Sequence, residues 1–192
     1  MKDLSLHILD LVENSLRAGA SRVTIGVFED TSSDTLKLLI KDNGEGMEGH
    51  VLEHVFDPFF TGQNKKKKVG LGLPLIKQLA EQCEGRVSLN SRKGEGTELV
   101  VTFKRSHIDL PPLGDIAETL VSLIVSNPEV EFEFVHHVDG MEWRFSSKEL
   151  LRHIGVNNPE DLPAVLPAVK EWIDFQEKSF REGGVADENQ KH

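Results

Sequence analysis

The hexapeptide Asp-Asn-Gly-Glu-Gly-Met at residues 42–47 directly follows residues 36–41, a largely apolar stretch that we predict to be a β-strand paired in a hairpin with the strand before it. Asp42 stands at the end of that strand, where its carboxylate can accept a hydrogen bond from an amino group of a ligand. Gly44 and Gly46 permit a sharp turn and a close approach of the backbone to a flat ligand. Asp-Asn-Gly is also a good hairpin turn, and on its own the stretch favours that turn.

Helices and strands alternate on both sides of this turn. The first half predicts helices over residues 5–18 and 73–84 and strands over residues 22–29, 36–41, 86–91 and 98–104. Helices combined with antiparallel strands favour an α+β fold, a two-layer α/β sandwich, over a doubly wound parallel sheet.

Charge divides the chain of 192 residues, whose formal net charge is −10. Residues 1–106 carry 15 basic and 15 acidic side chains, whereas residues 107–192 carry 7 basic and 17 acidic ones. The change coincides with Leu-Pro-Pro-Leu-Gly at residues 110–114, a strong breaker of regular structure. We therefore predict one domain over residues 1–106 and a small acidic α+β accessory domain over residues 107–192, with a disordered tail from residue 182.

Composition excludes several classes of protein. The acidic second half repels phosphate backbones and anionic lipids, so no nucleic acid or membrane partner is expected there. Cys83 is the only cysteine, which excludes an intramolecular disulfide and a multi-cysteine metal site. No apolar run approaches the ~20 residues of a membrane span, and the chain does not start with a signal peptide. These features predict a cytoplasmic protein.

Residues of the first predicted helix form a second polar constellation. Asp10 and Asn14 are four residues apart and therefore share a helix face. A carboxylate and a carboxamide stacked in this way can orient water and offer an oxygen ligand to Mg²⁺. Taken alone, the pattern favours an ordinary solvated polar face.

Two glycine-containing segments complete the set. Residues 56–62, Phe-Asp-Pro-Phe-Phe-Thr-Gly, precede four lysines at 65–68, and Val-Gly-Leu-Gly-Leu at 69–73 then opens a helix. Glycines at a helix N-terminus expose backbone N–H groups to phosphate, and lysines beside them are placed as an electrostatic lid. Residues 94–97, Gly-Glu-Gly-Thr, introduce the last strand, where the Thr97 hydroxyl can reach a ligand. A solvated loop and a glycine turn are the simpler alternatives.

In their order and spacing, the four segments resemble the N, G1, F and G2 boxes of the GHKL ATPase superfamily. This group spans histidine-kinase catalytic domains, type II topoisomerase and Hsp90 ATPases, and mismatch-repair ATPases. Residues 11–16, Leu-Val-Glu-Asn-Ser-Leu, look like the mismatch-repair N box, whereas residues 56–60 and 70–73 look like histidine-kinase F and G2 boxes. The resemblance covers about residues 4–104 and implies the Bergerat ATP-binding fold.

The resemblance also implies roles for individual residues. Asn14 would ligate Mg²⁺ bridging the ATP phosphates, and Arg17 matches a phosphate-contacting position of many histidine kinases. Asp42 would bind the adenine amino group, helped by a buried water and Thr97. Asp10 falls where many hydrolysing members keep a longer glutamate. The implied catalytic residues are Asp10, Asn14 and Arg17, and the implied ATP-binding residues are Asn14, Arg17, Asp42, Gly44, Gly46, Met47, Phe59, Phe60, Lys67, Lys68, Gly70, Leu71, Gly72, Leu73 and Thr97.

Three functions are compatible with these motifs. The first is a histidine-kinase-type catalytic module that binds Mg·ATP and phosphorylates a separate acceptor protein, docked by the acidic accessory domain. None of the eight histidines lies in a helix pair ahead of the ATP domain, so the acceptor is expected on another chain. The alternatives are an ATP-driven conformational switch of the mismatch-repair type and a protein-serine kinase of the anti-sigma-factor type.

Overall fold

The computed structural model describes residues 3–58, 71–156 and 161–181. Its helices are α1 (Leu4–Arg17), α2 (Gly49–Leu52), α3 (Gly72–Gln82), α4 (Ile116–Ser126), α5 (Ser147–His153) and α6 (Leu162–Arg181). Its strands are β1 (Arg22–Asp30), β2 (Thr35–Asp42), β3 (Arg86–Arg92), β4 (Gly96–Lys104), β5 (Glu131–Val138) and β6 (Met141–Ser146). The tail predicted to be disordered lies outside these residues.

The described strands form one six-stranded sheet in the order β3-β4-β2-β1-β5-β6. All neighbouring strands are antiparallel except β1 and β5, which are parallel. Alternate residues of β1, such as Val23, Ile25 and Val27, are buried, because successive side chains of a strand point to opposite faces. The sheet and its helices confirm the predicted α+β sandwich.

Helix α1 covers the middle of the sheet with a continuous apolar stripe. Leu4, Ile8, Leu11 and Val12 are buried at the 3.6-residue spacing of a helix. The Asp3 carboxylate caps the helix by accepting from the Leu6 N–H at 3.2 Å. This packing fixes the rotation of α1 and therefore the direction in which its polar face points.

The second half of the chain continues the same sheet. Strand β5 lies beside β1, and its Phe132 and Phe134 are fully buried in a hydrophobic cluster that draws on both halves of the chain. Helices α4 and α6 pack against each other, and α4 also contacts α1. The boundary predicted after residue 106 therefore separates two stretches of sequence but not two hydrophobic cores. The reason is that β5 pairs with the edge of β1 that β2 leaves free, and no local sequence pattern shows that this pairing will form.

The connection between the halves also touches α1. The Leu4 N–H at the start of α1 donates to the Pro112 carbonyl oxygen at 2.9 Å. Gly114 has φ +83° and packs so closely on Asp3 and Ser5 that a Cβ there would lie 2.7 Å from Ser5 Oγ. The breaker at residues 110–114 is thus a strap that fixes the N-terminus of α1.

Candidate functional site

Three polar side chains stand in a row across one end of the sheet. Asp42 of β2 pairs with Thr97 of β4, and Thr97 pairs in turn with Ser91 of β3. Residues directly paired in antiparallel strands point to the same face, so all three face the helices. The row places Thr97 between a carboxylate and a buried hydroxyl.

The Asp42 carboxylate is oriented by two hydrogen bonds. Ser15 Oγ on α1 donates to its Oδ2 at 2.7 Å, and the Gly44 N–H donates to its Oδ1 at 2.9 Å. Asp42 remains partly exposed, whereas Ser15 is buried. The carboxylate is therefore held in one orientation while keeping access to a ligand.

Ser91 connects Thr97 to the loop after β2. Its Oγ accepts from the Met47 N–H at 2.9 Å, donates to the Gly96 carbonyl oxygen at 3.0 Å and lies 2.9 Å from Thr97 Oγ1. Met47, predicted to bind ATP, thus already uses its backbone N–H within the protein.

The glycines of residues 42–47 permit close contacts within the protein. A Cβ at Gly44 would lie 2.8 Å from the Ala18 carbonyl oxygen at the end of α1. Gly46 has φ +64°, and a Cβ there would overlap the Arg92 carbonyl oxygen. In the structure, these glycines let the loop backbone pack closely against neighbouring backbone, namely the end of α1 and the β3–β4 turn.

Helix α3 begins directly over the polar face of α1. A Cβ at Gly72 would lie 3.5 Å from Asp10 Cβ and 3.6 Å from Asn14 Nδ2. Asp10 and Asn14 are both half-buried, and the exposed Arg17 donates from its guanidinium to the Asn14 amide oxygen. The three residues predicted to be catalytic therefore lie together along α1, and two of them touch the start of α3.

The first turn of α3 offers backbone donors to an anion. Its N-cap residue, Leu71, is exposed and makes no side-chain cap hydrogen bond, while Leu73 buries its side chain in the core. The first N–H groups of a helix have no partner within the helix, and the helix dipole favours negative charge there. Leu71, Gly72 and Leu73 can thus contribute backbone rather than side chains.

Some predicted ligand contacts fall outside the described residues. These are Phe59, Phe60, Lys67, Lys68 and Gly70, all in the predicted lid.

Two residues of the site, Ser15 and Ser91, were not predicted. Both carry a visible signal, since each is a polar residue at an apolar position. Ser15 follows Leu11 and Val12 on the buried stripe of α1, and Ser91 follows Val87 and Leu89 on the inward face of β3. A hydroxyl at such a position needs a partner within the fold.

Two histidines of the described residues, His7 and His136, are buried. His7 on α1 is buried and its Nδ1 has no hydrogen-bond partner among the described residues. Burial lowers the pKa of His7 below the usual 6.5, although the nearby Asp10 carboxylate acts in the opposite direction. His136 lies on the β5–β6 hairpin and is fully buried, because the alternation of β5 turns it towards α6.

The fold and these contacts define the class of protein. A two-layer sandwich carries an oriented carboxylate at the end of a central strand and a helix N-terminus over the polar face of α1, as expected for an ATP-binding domain of the GHKL type. Residues 2–107 match the family described as histidine kinase-, DNA gyrase B- and HSP90-like ATPases, and the chain belongs to this family.

Two curated relatives are similar to about half of the chain. The sensor histidine kinase YxdK of Bacillus subtilis (strain 168) is 34% identical over 108 residues, covering 53% of this chain and 33% of that protein. The sensor histidine kinase YvrG of the same organism is 30% identical over 99 residues, covering 50% of this chain and 17% of that protein. The chain thus corresponds to no more than about a third of the length of either relative.

A solved structure shares the fold over a longer stretch. The crystal structure of the N-terminal domain of a DNA repair protein superposes with a TM-score of 0.55 at 16% identity, covering 77% of this chain and 53% of that chain. At this identity the likeness concerns the fold alone. It extends beyond the family match, which ends at residue 107, and so includes part of the second half.

The donor set fits the Mg²⁺ ion that the family implies. Mg²⁺ prefers oxygen ligands and keeps several from phosphate and water, so one amide oxygen of Asn14, half-buried beside Asp10, is a suitable protein contribution. Within residues 3–58, 71–156 and 161–181, no cluster of three or more His, Cys, Asp or Glu side chains is arranged to hold a metal.

Among the helices in those ranges, none has the length and apolar character needed to cross a membrane.

Proposed function

We propose that the chain binds Mg·ATP between the start of α3 and the row formed by Asp42, Thr97 and Ser91. We further propose that it transfers the γ-phosphoryl group to a separate acceptor protein. The observation that carries the proposal is the Asp42 carboxylate, which is held by Ser15 and the Gly44 N–H and stands in register with Thr97. A preoriented acceptor pair of this kind suits the exocyclic amine of adenine, a strong donor.

The phosphates would lie over α1 at the start of α3. Asn14 would hold the Mg²⁺ ion, which when bound neutralises charge on the phosphate oxygens. Arg17, already in contact with the Asn14 amide oxygen, would turn its guanidinium to the phosphates. The backbone of Gly70–Gly72 would cradle them, and Phe59, Phe60, Lys67 and Lys68 would close the site as a lid.

The acceptor would come from another protein, docked by the acidic residues of the second half. The annotated relatives are sensor histidine kinases, a class that supports phosphotransfer as the reaction. Burial keeps both His7 and His136 from presenting an imidazole to the phosphates, since they are 6% and 0% exposed.

A second candidate is an ATP-driven conformational switch. It is favoured by the Asp10 carboxylate, which lies on the same face of α1 as Asn14 and beneath the start of α3. A carboxylate in this place could activate water for hydrolysis.

Labelling with γ-³²P-ATP in a lysate of the source cell separates the two candidates. Label on a second protein supports a kinase, and loss of that label in acid identifies phosphohistidine or phosphoaspartate. Release of free phosphate alone supports the switch. Asp42→Ala should abolish either signal, whereas Glu45→Gln, which alters only an exposed pair with Lys93 at 3.6 Å, should preserve it.

A further inference from the structure

Ser91 occupies a position where the direction of its hydrogen bonds is determined by the backbone. Its side chain is buried, with the residue 8% exposed, and its Oγ lies within 3.0 Å of three partners. The partners are the Met47 N–H, the Gly96 carbonyl oxygen and Thr97 Oγ1.

Only one arrangement of protons satisfies all three contacts. A backbone N–H can only donate and a carbonyl oxygen can only accept. Ser91 therefore donates its single proton to Gly96 and accepts from Met47. Its remaining lone pair must accept the Thr97 proton, across the 2.9 Å between the two hydroxyl oxygens. Thr97 consequently has only lone pairs left for a ligand.

The neighbouring Asp42 has the same character. An ionised carboxylate only accepts hydrogen bonds, and its two oxygens already receive protons from Ser15 and the Gly44 N–H. Asp42 and Thr97 are paired across β2 and β4, so the two acceptors stand side by side. The side chains of Asp42 and Thr97 therefore offer a ligand only acceptors.

We propose that Ser91 is a positioning residue that locks the Thr97 hydroxyl as an acceptor, and thereby makes the site select a purine with an amino group at position 6 over one with a carbonyl oxygen there. The inference rests on the proposed binding of ATP at this site. An amine donates to the acceptor pair, whereas a carbonyl oxygen faces two further acceptors and stays unpaired.

The test compares ATP with inosine triphosphate, in which a carbonyl replaces the 6-amino group and N1 consequently carries a hydrogen. We expect the wild-type chain to bind ATP at least about tenfold more tightly in calorimetry with Mg²⁺, because a site built for a donor rejects a ligand without it. In Ser91→Ala, Thr97 is free to rotate and to donate, so this preference should fall by about threefold or more.

Two further variants isolate the effect. Ser88→Ala on the same strand removes an exposed hydroxyl from the opposite face of the sheet and should leave the preference unchanged. Thr97→Val removes the hydroxyl through which Ser91 acts, so adding Ser91→Ala to it should change the preference no further. Circular dichroism checks that each variant folds; if Ser91→Ala does not, Ser91→Cys replaces it, because a thiol is only a weak donor and acceptor.

The outcomes separate this inference from the proposed function. A wild-type chain that binds neither nucleotide would refute both. If ATP binds but inosine triphosphate binds as tightly, or if Ser91→Ala weakens both nucleotides by the same factor, the role of Ser91 is overturned and ATP binding stands. A merely structural serine would change affinity without changing the preference.

Discussion

The Asp42 carboxylate is held in one orientation, because hydrogen bonds from α1 and from its own loop occupy both oxygens. We expect Asp42→Ala to weaken Mg·ATP binding by about a hundredfold, since the ligand amine then loses a charged hydrogen-bond partner. Calorimetry measures the loss, with Glu45→Gln as the control carboxylate variant. Undiminished affinity in Asp42→Ala would rule out the assignment of adenine to this end of the sheet.

Asp10 raises the question of hydrolysis. Its carboxylate is half-buried beneath Gly72 and has a shorter reach than a glutamate. We expect slow basal release of phosphate from the wild-type chain, and a rise of about tenfold or more in Asp10→Glu as the carboxylate reaches the attacking water. Glu13→Asp, at an exposed position of the same helix, should not change the rate. A lower or equal rate in Asp10→Glu would show that position 10 does not activate water.

At the scale of elements, a buried cluster of charges joins β1, β5 and α6. His136 Nε2 lies 3.1 Å from Glu29 Oε1 on β1, and its Nδ1 lies 3.5 Å from Glu177 Oε1 on α6. Arg105 also contacts Glu29, with its Nε 3.0 Å from Oε2, and the Phe180 ring packs on the imidazole. The cluster ties α6 to the sheet by paired charges as well as by apolar contacts.

The pKa values of this cluster are shifted by pairing. Burial by itself lowers the pKa of His136, but the hydrogen bonds and charges of Glu177 and Glu29 outweigh it and raise the pKa above 6.5. The hydrogen bond from His136 is the largest cause that lowers the pKa of Glu29 to about 2. Pairing therefore favours the charged form of both His136 and Glu29 in the folded protein.

This pairing predicts a pH dependence of stability. Because the pKa of His136 is raised on folding, its contribution is complete below about pH 6.5 and is lost as the pH rises through the folded value. The free energy of unfolding should therefore fall above pH 6.5, by at most about 1.4 kcal/mol per pH unit for one proton. Urea unfolding at several pH values measures the slope.

A matched pair of variants tests the cause of that slope. His136→Gln should flatten it, because glutamine does not titrate, whereas His137→Gln on the other face of β5 should preserve it. A slope unchanged in His136→Gln would contradict the assignment. His7 affects stability in a different pH range. Because folding lowers its pKa, the free energy of unfolding should decrease as the pH falls below 6.5.

At the scale of the whole molecule, the two halves share one sheet and one hydrophobic cluster. Large buried side chains of the second half, such as Leu120, Phe132 and Ile173, are each 0–1% exposed. Burial of a side chain of this size contributes about 1.5–3 kcal/mol, against a total stability of about 5–15 kcal/mol for a typical domain. The first half alone therefore lacks a large part of its stabilisation.

We accordingly expect a chain ending at residue 106 to lose the cooperative thermal unfolding of the full chain. It would also expose the edge of β1 and release the Leu4 N–H from Pro112, loosening the helix that carries Asn14. Circular dichroism on heating measures the loss, and a chain shortened only by residues 182–192 is the control. A fragment that melts cooperatively at the temperature of the full chain would instead support two independent domains.

The sequence by itself determined the class of fold and most of the candidate site. Helix and strand periods are properties of contiguous residues, so α1 and the strands were readable from local patterns. The motif at residues 42–47 and its spacing from Asn14 pointed to the family that the match over residues 2–107 shows. These signals can be read from the sequence without knowing which elements contact each other.

Only the tertiary structure decided which distant residues meet. Ser15 reaches Asp42 across 27 positions and His136 reaches Glu29 across 107, distances in sequence at which no periodicity carries information. The alternation of a strand shows which face is buried but not which neighbour it pairs with. The parallel pairing of β5 with β1 buries His136, and the pairing of β3 with β4 brings Ser91 to Thr97. Both pairings are decided by the whole chain, because a sheet edge is covered by whichever strand lets the chain bury its apolar surface.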